Sequence, residues 1–274
     1  MVKIISHIED AMFRQLFFSI SLLTASPAAV ATILIDDFSQ TSDAGLYPVA
    51  VNAFGLSNFI SDPFRNLGSV PLAREVFLVD IGGFGGSTTR PMVNLDTSSG
   101  VISFVDEDAP PSSVFVLTYT SIPGLGELDL DIQDQTALRV SYSVSDAVSI
   151  EVRLASGFEG NDFGDGGFTE GNTTFVDLVP GESQIDIPLS AITGAAIGNF
   201  GASLGTPAAS GDVLDDVDLS RVDSLSFVLD NDFFPVSPES VFTLTIDEVA
   251  FVPEPSAAAF LAVSGLVLFR RRSA

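Results

Sequence analysis

The feature that most constrains the fold is a succession of short segments rich in β-branched and aromatic residues, separated by glycine, proline, asparagine and aspartate. Several segments, such as residues 137–144 and 148–155, alternate apolar and polar residues, which is the period of a strand with one buried face. Such strands with short, turn-rich connections predict an all-β chain, an antiparallel two-sheet β-sandwich of jelly-roll type. The candidate strands cover residues 32–38, 74–81, 90–96, 100–106, 113–121, 128–132, 137–144, 148–155, 173–179, 183–189, 222–230 and 241–252.

Aromatic residues in these strands are predicted to build the core. Phenylalanine is plentiful, whereas tryptophan is absent and tyrosine is scarce. Residues 188–194 are expected to form one short helical turn. The aromatic residues expected to be buried are Phe104, Phe175, Phe227, Phe242, Tyr119 and Tyr142.

The N-terminus has the order of a secretion signal. Basic residues precede an apolar stretch, and Ala29 and Ala31 then form the small-x-small pattern that signal peptidase cleaves. We therefore expect residues 1–31 to be a signal helix that is removed on export. Translation starts at Met1 or at Met12, and the second gives the more regular basic start. The alternative is a buried N-terminal helix.

The C-terminus carries a second apolar segment, residues 256–269, which is expected to be helical. At ~1.5 Å per residue its helix is about 21 Å long, shorter than the ~30 Å hydrocarbon layer of a bilayer. Positive charge beside such a segment marks the cytoplasmic side of a membrane. The motif before the segment and the cluster after it are Pro253, Glu254, Pro255 and Arg270, Arg271, Arg272.

This order of parts in residues 252–274 resembles the PEP-CTERM sorting signal of Gram-negative bacteria. The resemblance implies processing by an exosortase, a transient or stable hold on the inner membrane, and association with the cell envelope or exopolysaccharide. The apolar segment is shorter than the family's usual one and is interrupted by Ser264 and Gly265. A plain C-terminal membrane anchor is the alternative.

Residues 32–251 remain as the body, which is expected to be one β-sandwich domain. The body holds 33 of the chain's 36 acidic residues and six of its 11 basic ones, so nucleic acid is an unsuitable partner. It contains no Cys, Lys, Trp or His. Thiol and histidine catalysis, a histidine zinc site and disulfides are therefore excluded from the body. We expect a protein that is not an enzyme.

The body also resembles galactose-binding-like, jelly-roll modules. The resemblance rests on "LIDDF" at residues 34–38, on "DLSRVDSLSFVLD" at residues 218–230 and on "TIDEVAF" at residues 245–251. It implies that the first and last strands are neighbours.

Two groups of carboxylates are candidate ligands of Ca²⁺, which binds six to eight oxygen atoms. The first group is held by the first and last strands, and the alternative for it is a set of solvent-facing side chains. The second lies in the glycine-rich segment 157–172, for which a solvated hairpin loop is the alternative. A third acidic segment, residues 210–221, is expected to be a solvated loop. The candidate ligands are Asp36, Asp37, Asp247 and Glu248 in the first group, and Glu159, Asp162 and Asp165 in the second.

Three functions remain open at this point. The first is an exported, non-catalytic β-sandwich of the envelope or matrix, whose acidic surface holds divalent ions. The second is a carbohydrate-binding module of the cell surface or exopolysaccharide. The third is a glycan hydrolase that works with carboxylates alone, although 33 acidic residues give no basis for nominating a pair.

Overall fold

The computed structural model describes residues 31–51, 57–65, 71–80, 91–107, 113–121, 128–159, 167–192, 216–229 and 241–253. Residues Thr32–Val252 form one compact unit. In the described ranges we find no helix with the length and apolar character needed to cross a membrane. The predicted signal peptide, apart from Ala31, and the sorting signal beyond Pro253 lie outside the described residues.

The described chain is built from β-strands and two single 3-10 turns. The turns are Ala44–Leu46 and Leu189–Ala191, and the second confirms the predicted helical turn. The strands are β1 (Ile33–Asp36), β2 (Val49–Ala50), β3 (Ser57–Arg65), β4 (Pro71–Asp80), β5 (Met92–Asp96), β6 (Val101–Asp106), β7 (Ser113–Ser121), β8 (Ala137–Val144), β9 (Val148–Glu159), β10 (Gly167–Leu178), β11 (Gln184–Pro188), β12 (Val222–Leu229) and β13 (Phe242–Val252).

The strands form two antiparallel sheets, which confirms the predicted β-sandwich class. The seven-stranded sheet has the order β11-β8-β13-β6-β5-β2, and β1 also pairs with β13. The six-stranded sheet has the order β10-β9-β12-β7-β4-β3. The pairing of β1 with β13 joins Ile33 to Phe251 and Leu34 to Ala250. The first and last strands are therefore neighbours, as the resemblance to galactose-binding-like modules implies.

The hydrophobic core lies between the two sheets and uses alternate residues of each strand. In β8, for example, Leu138, Val140 and Tyr142 are buried, while the residues between them are at least partly exposed. The Phe104 ring stacks on Phe115 with 5.2 Å between ring centroids. Apolar area removed from water stabilises the fold by roughly 25 cal/mol per Å², so this shared layer is the main source of stability.

Most of the predicted core aromatics are buried, with one exception. Tyr119 and Tyr142 are each 1 % exposed. Phe175, however, is 57 % exposed, so its assignment to the core was wrong. The register of β10 pairs Phe175 with Glu151 of β9, which places both on the outer face of the six-stranded sheet.

Two parts of the strand prediction also differ from the structure. β3 was not predicted, because Pro63 interrupts its pattern; proline is tolerated there because β3 ends the strand order and lies at the sheet edge. Residues 128–132 were predicted as a strand but form only an isolated bridge between Leu130 and Val222. Apolar and polar residues alternate in this segment because Leu128, Leu130 and Ile132 pack into the core, although the segment forms no continuous ladder of strand hydrogen bonds.

Candidate functional site

The outer face of the six-stranded sheet differs from an ordinary solvated sheet surface. All eight residues of β12 are buried. Leu225 and Phe227 belong to the core between the sheets. Ser224, Ser226 and Val228 lie on the opposite side of the strand, yet they are only 4 %, 6 % and 7 % exposed. The centre of this outer face is therefore shielded from solvent.

A continuous row of polar residues crosses this face, with one residue from each strand. Neighbouring members are direct partners in the strand register. With strands about 4.8 Å apart, the row is about 24 Å long. Its members, here called the polar row, are Ser61 of β3, Glu75 of β4, Thr118 of β7, Ser226 of β12, Arg153 of β9 and Thr173 of β10.

One end of the polar row is held by hydrogen bonds to Glu151, which precedes Arg153 by two residues in β9. Arg153 Nη2 donates to Glu151 Oε2 at 2.7 Å, and Thr173 Oγ1 donates to Glu151 Oε1 at 2.7 Å. In the middle of the row the hydroxyl groups of Thr118 and Ser226 are 3.0 Å apart and share a hydrogen bond. These contacts fix the side chains in place before any ligand arrives.

Glu75 is the exception in this row. The residue is 4 % exposed, and within the part of the chain that the structure describes its Oε2 atom has no hydrogen-bond partner. Burial raises the pKa of Glu75 to about 7, although a hydrogen bond from the Thr120 side chain acts in the opposite direction. A buried carboxyl oxygen without a donor is costly, so a ligand that supplies a donor here gains binding energy.

Apolar and small residues border the polar row on its two sides. On one side the register aligns Phe59 and Phe77 with Val116 and Val228. Phe59 is 38 % exposed, so together with Phe175 it gives the face an accessible aromatic ring near each edge. On the other side lie four small residues, all of them buried: Ala73, Ala155, Gly171 and Ser224. A polar floor with apolar borders suits a ligand that carries both hydroxyl groups and apolar C–H faces.

Beneath this face, a buried ionic cluster fixes β4 against β1 and β3. Arg74 binds Asp36 in a bidentate manner, at 2.7 Å from Nε and 2.9 Å from Nη2, and contacts Asp62 at 3.0 Å from Nη1. Its guanidinium carbon lies 5.2 Å from the centroid of the Phe38 ring. Since Arg74 points inward, the next residue, Glu75, points outward from the same rigid strand.

The structure accounts for the first predicted calcium group as follows. The carboxylate of Asp36 is bound by Arg74 and by the backbone N–H of Phe38, so its counter-charge comes from the protein. Asp37 accepts hydrogen bonds from Ser39, Asp247 is exposed, and Glu248 is partly buried. In the described ranges no three acidic side chains are grouped as a metal site. Calcium binding by this group stays a prediction.

The second predicted group lies mostly outside the described residues. Glu159 ends β9, but its side chain is not described, and Asp162 and Asp165 are outside the described ranges. The structure does bring the two acidic segments 157–172 and 210–221 together. The backbone N–H of Asp218 donates to Ser156 Oγ at 2.8 Å and to Glu170 Oε2 at 3.2 Å. Calcium binding near this junction also stays a prediction.

The polar row is not apparent from the sequence. Its members occupy the polar positions of alternating strands, and such positions are read as a solvated face. One feature of the sequence does point to it. Ser226 lies between Leu225 and Phe227 in β12, and this strand is rich enough in apolar residues to be buried on both faces. Only the register of six strands shows that these positions line up.

Comparison with known proteins finds solved structures of low similarity to the chain. No family model and no curated protein sequence matches it. The family 11 carbohydrate-binding module of the cellulosomal cellulase Lic26A-Cel5E of Clostridium thermocellum is 15 % identical, with a TM-score of 0.41, over 82 % of this chain and 96 % of that one.

Two further solved structures are similar in the same way. The family 30 carbohydrate-binding module of a cellulosomal cellulase of Clostridium thermocellum is 12 % identical, with a TM-score of 0.34, over 83 % of this chain and 100 % of that one. A family 12 xyloglucanase of Bacillus licheniformis is 11 % identical, with a TM-score of 0.36, over 72 % of this chain and 99 % of that one.

Proposed function

We propose that this chain is an exported, non-catalytic β-sandwich that binds polysaccharide in a groove whose floor is the polar row of its six-stranded sheet. The observation that carries the proposal is the unbroken register of polar side chains across all six strands, including a buried carboxyl oxygen that has no partner among the described residues. Hydroxyl, carboxyl and guanidinium groups pair with sugar hydroxyls, and a row about 24 Å long offers these contacts to several sugar units in succession.

The exposed phenylalanines support the same proposal. Phe59 and Phe175 flank the groove near its two edge strands. Aromatic rings pack against the apolar C–H faces of sugars, and here they replace the tryptophan that the chain lacks. This arrangement favours a carbohydrate-binding function over a surface whose only property is its negative charge.

A hydrolytic function is less consistent with this face. Glycosidases place their two carboxyl groups roughly 5 to 9.5 Å apart. The glutamates described on this face, Glu75 of β4 and Glu151 of β9, are separated by three strand spacings, or about 14 Å. In addition, Glu151 is turned toward Arg153 and Thr173, away from Glu75.

Export and sorting form the second part of the proposal. The signal peptide and the PEP-CTERM-like segment would carry the body to the cell envelope or exopolysaccharide, where a polysaccharide-binding groove has its ligand. Replacing Pro253, Glu254 and Pro255 together by alanine is expected to leave the chain unprocessed in the inner membrane of an exosortase-containing host. Fractionation and mass spectrometry test this, and normal processing of the variant would contradict it.

Affinity electrophoresis tests the binding function. We expect the protein to be retarded in gels that contain at least one of β-glucan, xylan, galactan and galactomannan. The double variant Thr118→Val with Ser226→Ala keeps the shape of the groove floor but removes two hydroxyl groups. Each lost hydrogen bond costs about 1 kcal/mol, so binding should weaken roughly tenfold or more.

A matched control is available on the other sheet. Thr245 of β13 and Ser143 of β8 are also direct register partners, and they lie on the outer face of the seven-stranded sheet. The variant Thr245→Val with Ser143→Ala should bind as the wild type does. Equal weakening in both variants, or no retardation by any of the four polysaccharides, would contradict the proposed function.

A further inference from the structure

We propose that Glu75 selects the ligand of this groove by charge, so that the site takes uncharged polysaccharide and rejects polysaccharide bearing carboxylate groups. This inference rests on the proposed polysaccharide-binding function and specifies the class of ligand. Its basis is the position of Glu75 in the polar row, its burial and the charges around it.

Glu75 is directed into the groove by the register of β4. Arg74 and Val76, its neighbours in the strand, are buried in the interior between the sheets, so Glu75 faces outward. Its register partners in the polar row are Ser61 and Thr118, whose hydroxyl groups form the adjacent parts of the floor. A sugar hydroxyl lying over this floor can donate to the Oε2 atom that lacks a partner among the described residues.

The charges around Glu75 do not favour a negative ligand. Of the described side chains on the outward positions of β3, β4 and β7, only Glu75 is ionisable. The nearest described cation on this face, Arg153, is three strands away, about 14 Å, and is hydrogen-bonded to Glu151. Asp177 of β10 adds another exposed acid, and Arg74, Asp62 and Tyr119 face the interior. A carboxylate on the ligand would therefore meet like charge in a poorly solvated place.

Both protonation states of Glu75 pair with an uncharged hydroxyl. Since burial raises the pKa of this carboxyl to about 7, the two forms coexist near neutral pH. The ionised form accepts a hydrogen bond from a sugar hydroxyl, and the protonated form donates one to a sugar oxygen. Only the ionised form repels a ligand carboxylate, so discrimination should be strongest above pH 7.

The test compares polysaccharides that differ only in charge. β-Glucan and galactomannan are used with their derivatives in which the primary alcohols are oxidised to carboxylates, at pH 8 and roughly 0.15 M salt, where charges about 8 Å apart or more are screened. We expect the full-length wild type to bind a neutral form at least roughly tenfold more tightly than its oxidised derivative. The variant Glu75→Gln should reduce that ratio to about threefold or less.

Asp134→Asn is the matched control for total charge. Asp134 is exposed and lies outside the six-stranded sheet, and its substitution removes one negative charge, as Glu75→Gln does. The control should keep the wild-type ratio. An unchanged ratio in Glu75→Gln, or equal binding of neutral and oxidised forms by the wild type, overturns the inference while the binding function stands. If the protein binds none of these neutral or oxidised polysaccharides and is also not retarded by any of the four polysaccharides in affinity electrophoresis, both the inference and the proposed binding function are overturned.

Discussion

At the scale of single residues, Glu75 and Glu151 show how environment separates two side chains of the same type on one face. Glu151 receives hydrogen bonds from Arg153 and Thr173. Glu75 is buried, with 4 % of its surface exposed, and this burial raises its pKa to about 7. The sequence reveals neither difference, because both depend on which strands are neighbours.

The raised pKa of Glu75 predicts that this residue makes the stability of the fold depend on pH. The pKa rises from 4.5 to about 7 on folding, so the proton is held more tightly in the folded state. The resulting stability is fully present below pH 4.5 and is lost as pH rises through 7, by on the order of 3 kcal/mol. Glu75→Gln lacks this contribution. Urea unfolding from pH 4.5 to 8 should show the wild type losing stability relative to the variant, whereas parallel curves would contradict the account.

Gly100 provides a second prediction at the residue scale. It adopts φ +67 in the turn between β5 and β6, and a Cβ atom there would lie 2.9 Å from the backbone oxygen of Asp37. Gly181 also has positive φ, at +88, but a Cβ atom there would meet nothing within 4 Å. Gly181→Ala should therefore cost about 1 to 2 kcal/mol of backbone strain, and Gly100→Ala measurably more. Equal losses of unfolding free energy would show that the close approach to Asp37 is unimportant.

At the scale of elements, the ion pairs of Arg74 tie three strands together. Its contacts join β4 to Asp36 of β1 and to Asp62 of β3, and Asp62 also accepts hydrogen bonds from Ser42. The sequence predicts that Asp36 binds a cation, but as a ligand of Ca²⁺ and not as the partner of an arginine. It could not identify Arg74 as the partner, because the two residues are 38 positions apart. The alternation of the strands was predictable from local pattern, whereas this pairing depends on tertiary structure.

Removal of Arg74 should be far more damaging than removal of a surface arginine. Arg74→Leu leaves two buried carboxylates without a cation, which typically costs about 3 to 5 kcal/mol. Arg139 forms a comparable pair with Asp186, but the two side chains are 34 % and 43 % exposed. Arg139→Leu should therefore cost less than about 1 kcal/mol. Denaturant unfolding of the two variants measures this contrast, and similar losses would contradict the structural role given to Arg74.

At the scale of the whole molecule, the acidic composition favours divalent cations as counter-ions. The chain carries a formal charge of −25, and the structure brings Glu170 and Asp218 of two acidic segments together. We expect Ca²⁺ at 100 times its dissociation constant to stabilise the fold by about 2.7 kcal/mol, or about 5 to 10 °C in the unfolding midpoint. A thermal scan with Ca²⁺, with Mg²⁺ and with chelator tests this. Equal, small shifts with both ions would mean charge screening alone and would exclude a specific site.

The overall architecture was the part most accessible from the sequence. Period-two patterns and turn residues predict the two-sheet sandwich, and the resemblance of the end segments to galactose-binding-like modules implies that β1 and β13 are neighbours. The groove, in contrast, could not be predicted from the sequence. Glu75, Thr118 and Ser226 are distant in sequence and become one row only through the register of β4, β7 and β12.

The most direct test of the central claim is backbone amide chemical-shift mapping of the isotope-labelled protein, titrated with oligosaccharides of a polysaccharide that it binds. The account predicts that the largest shift changes fall on the polar row, in β4, β7, β12 and β9, with smaller changes near Phe59 and Phe175. Changes concentrated on the outer face of the seven-stranded sheet, around Ser143 and Thr245, would contradict it. So would the absence of any change at saturating ligand.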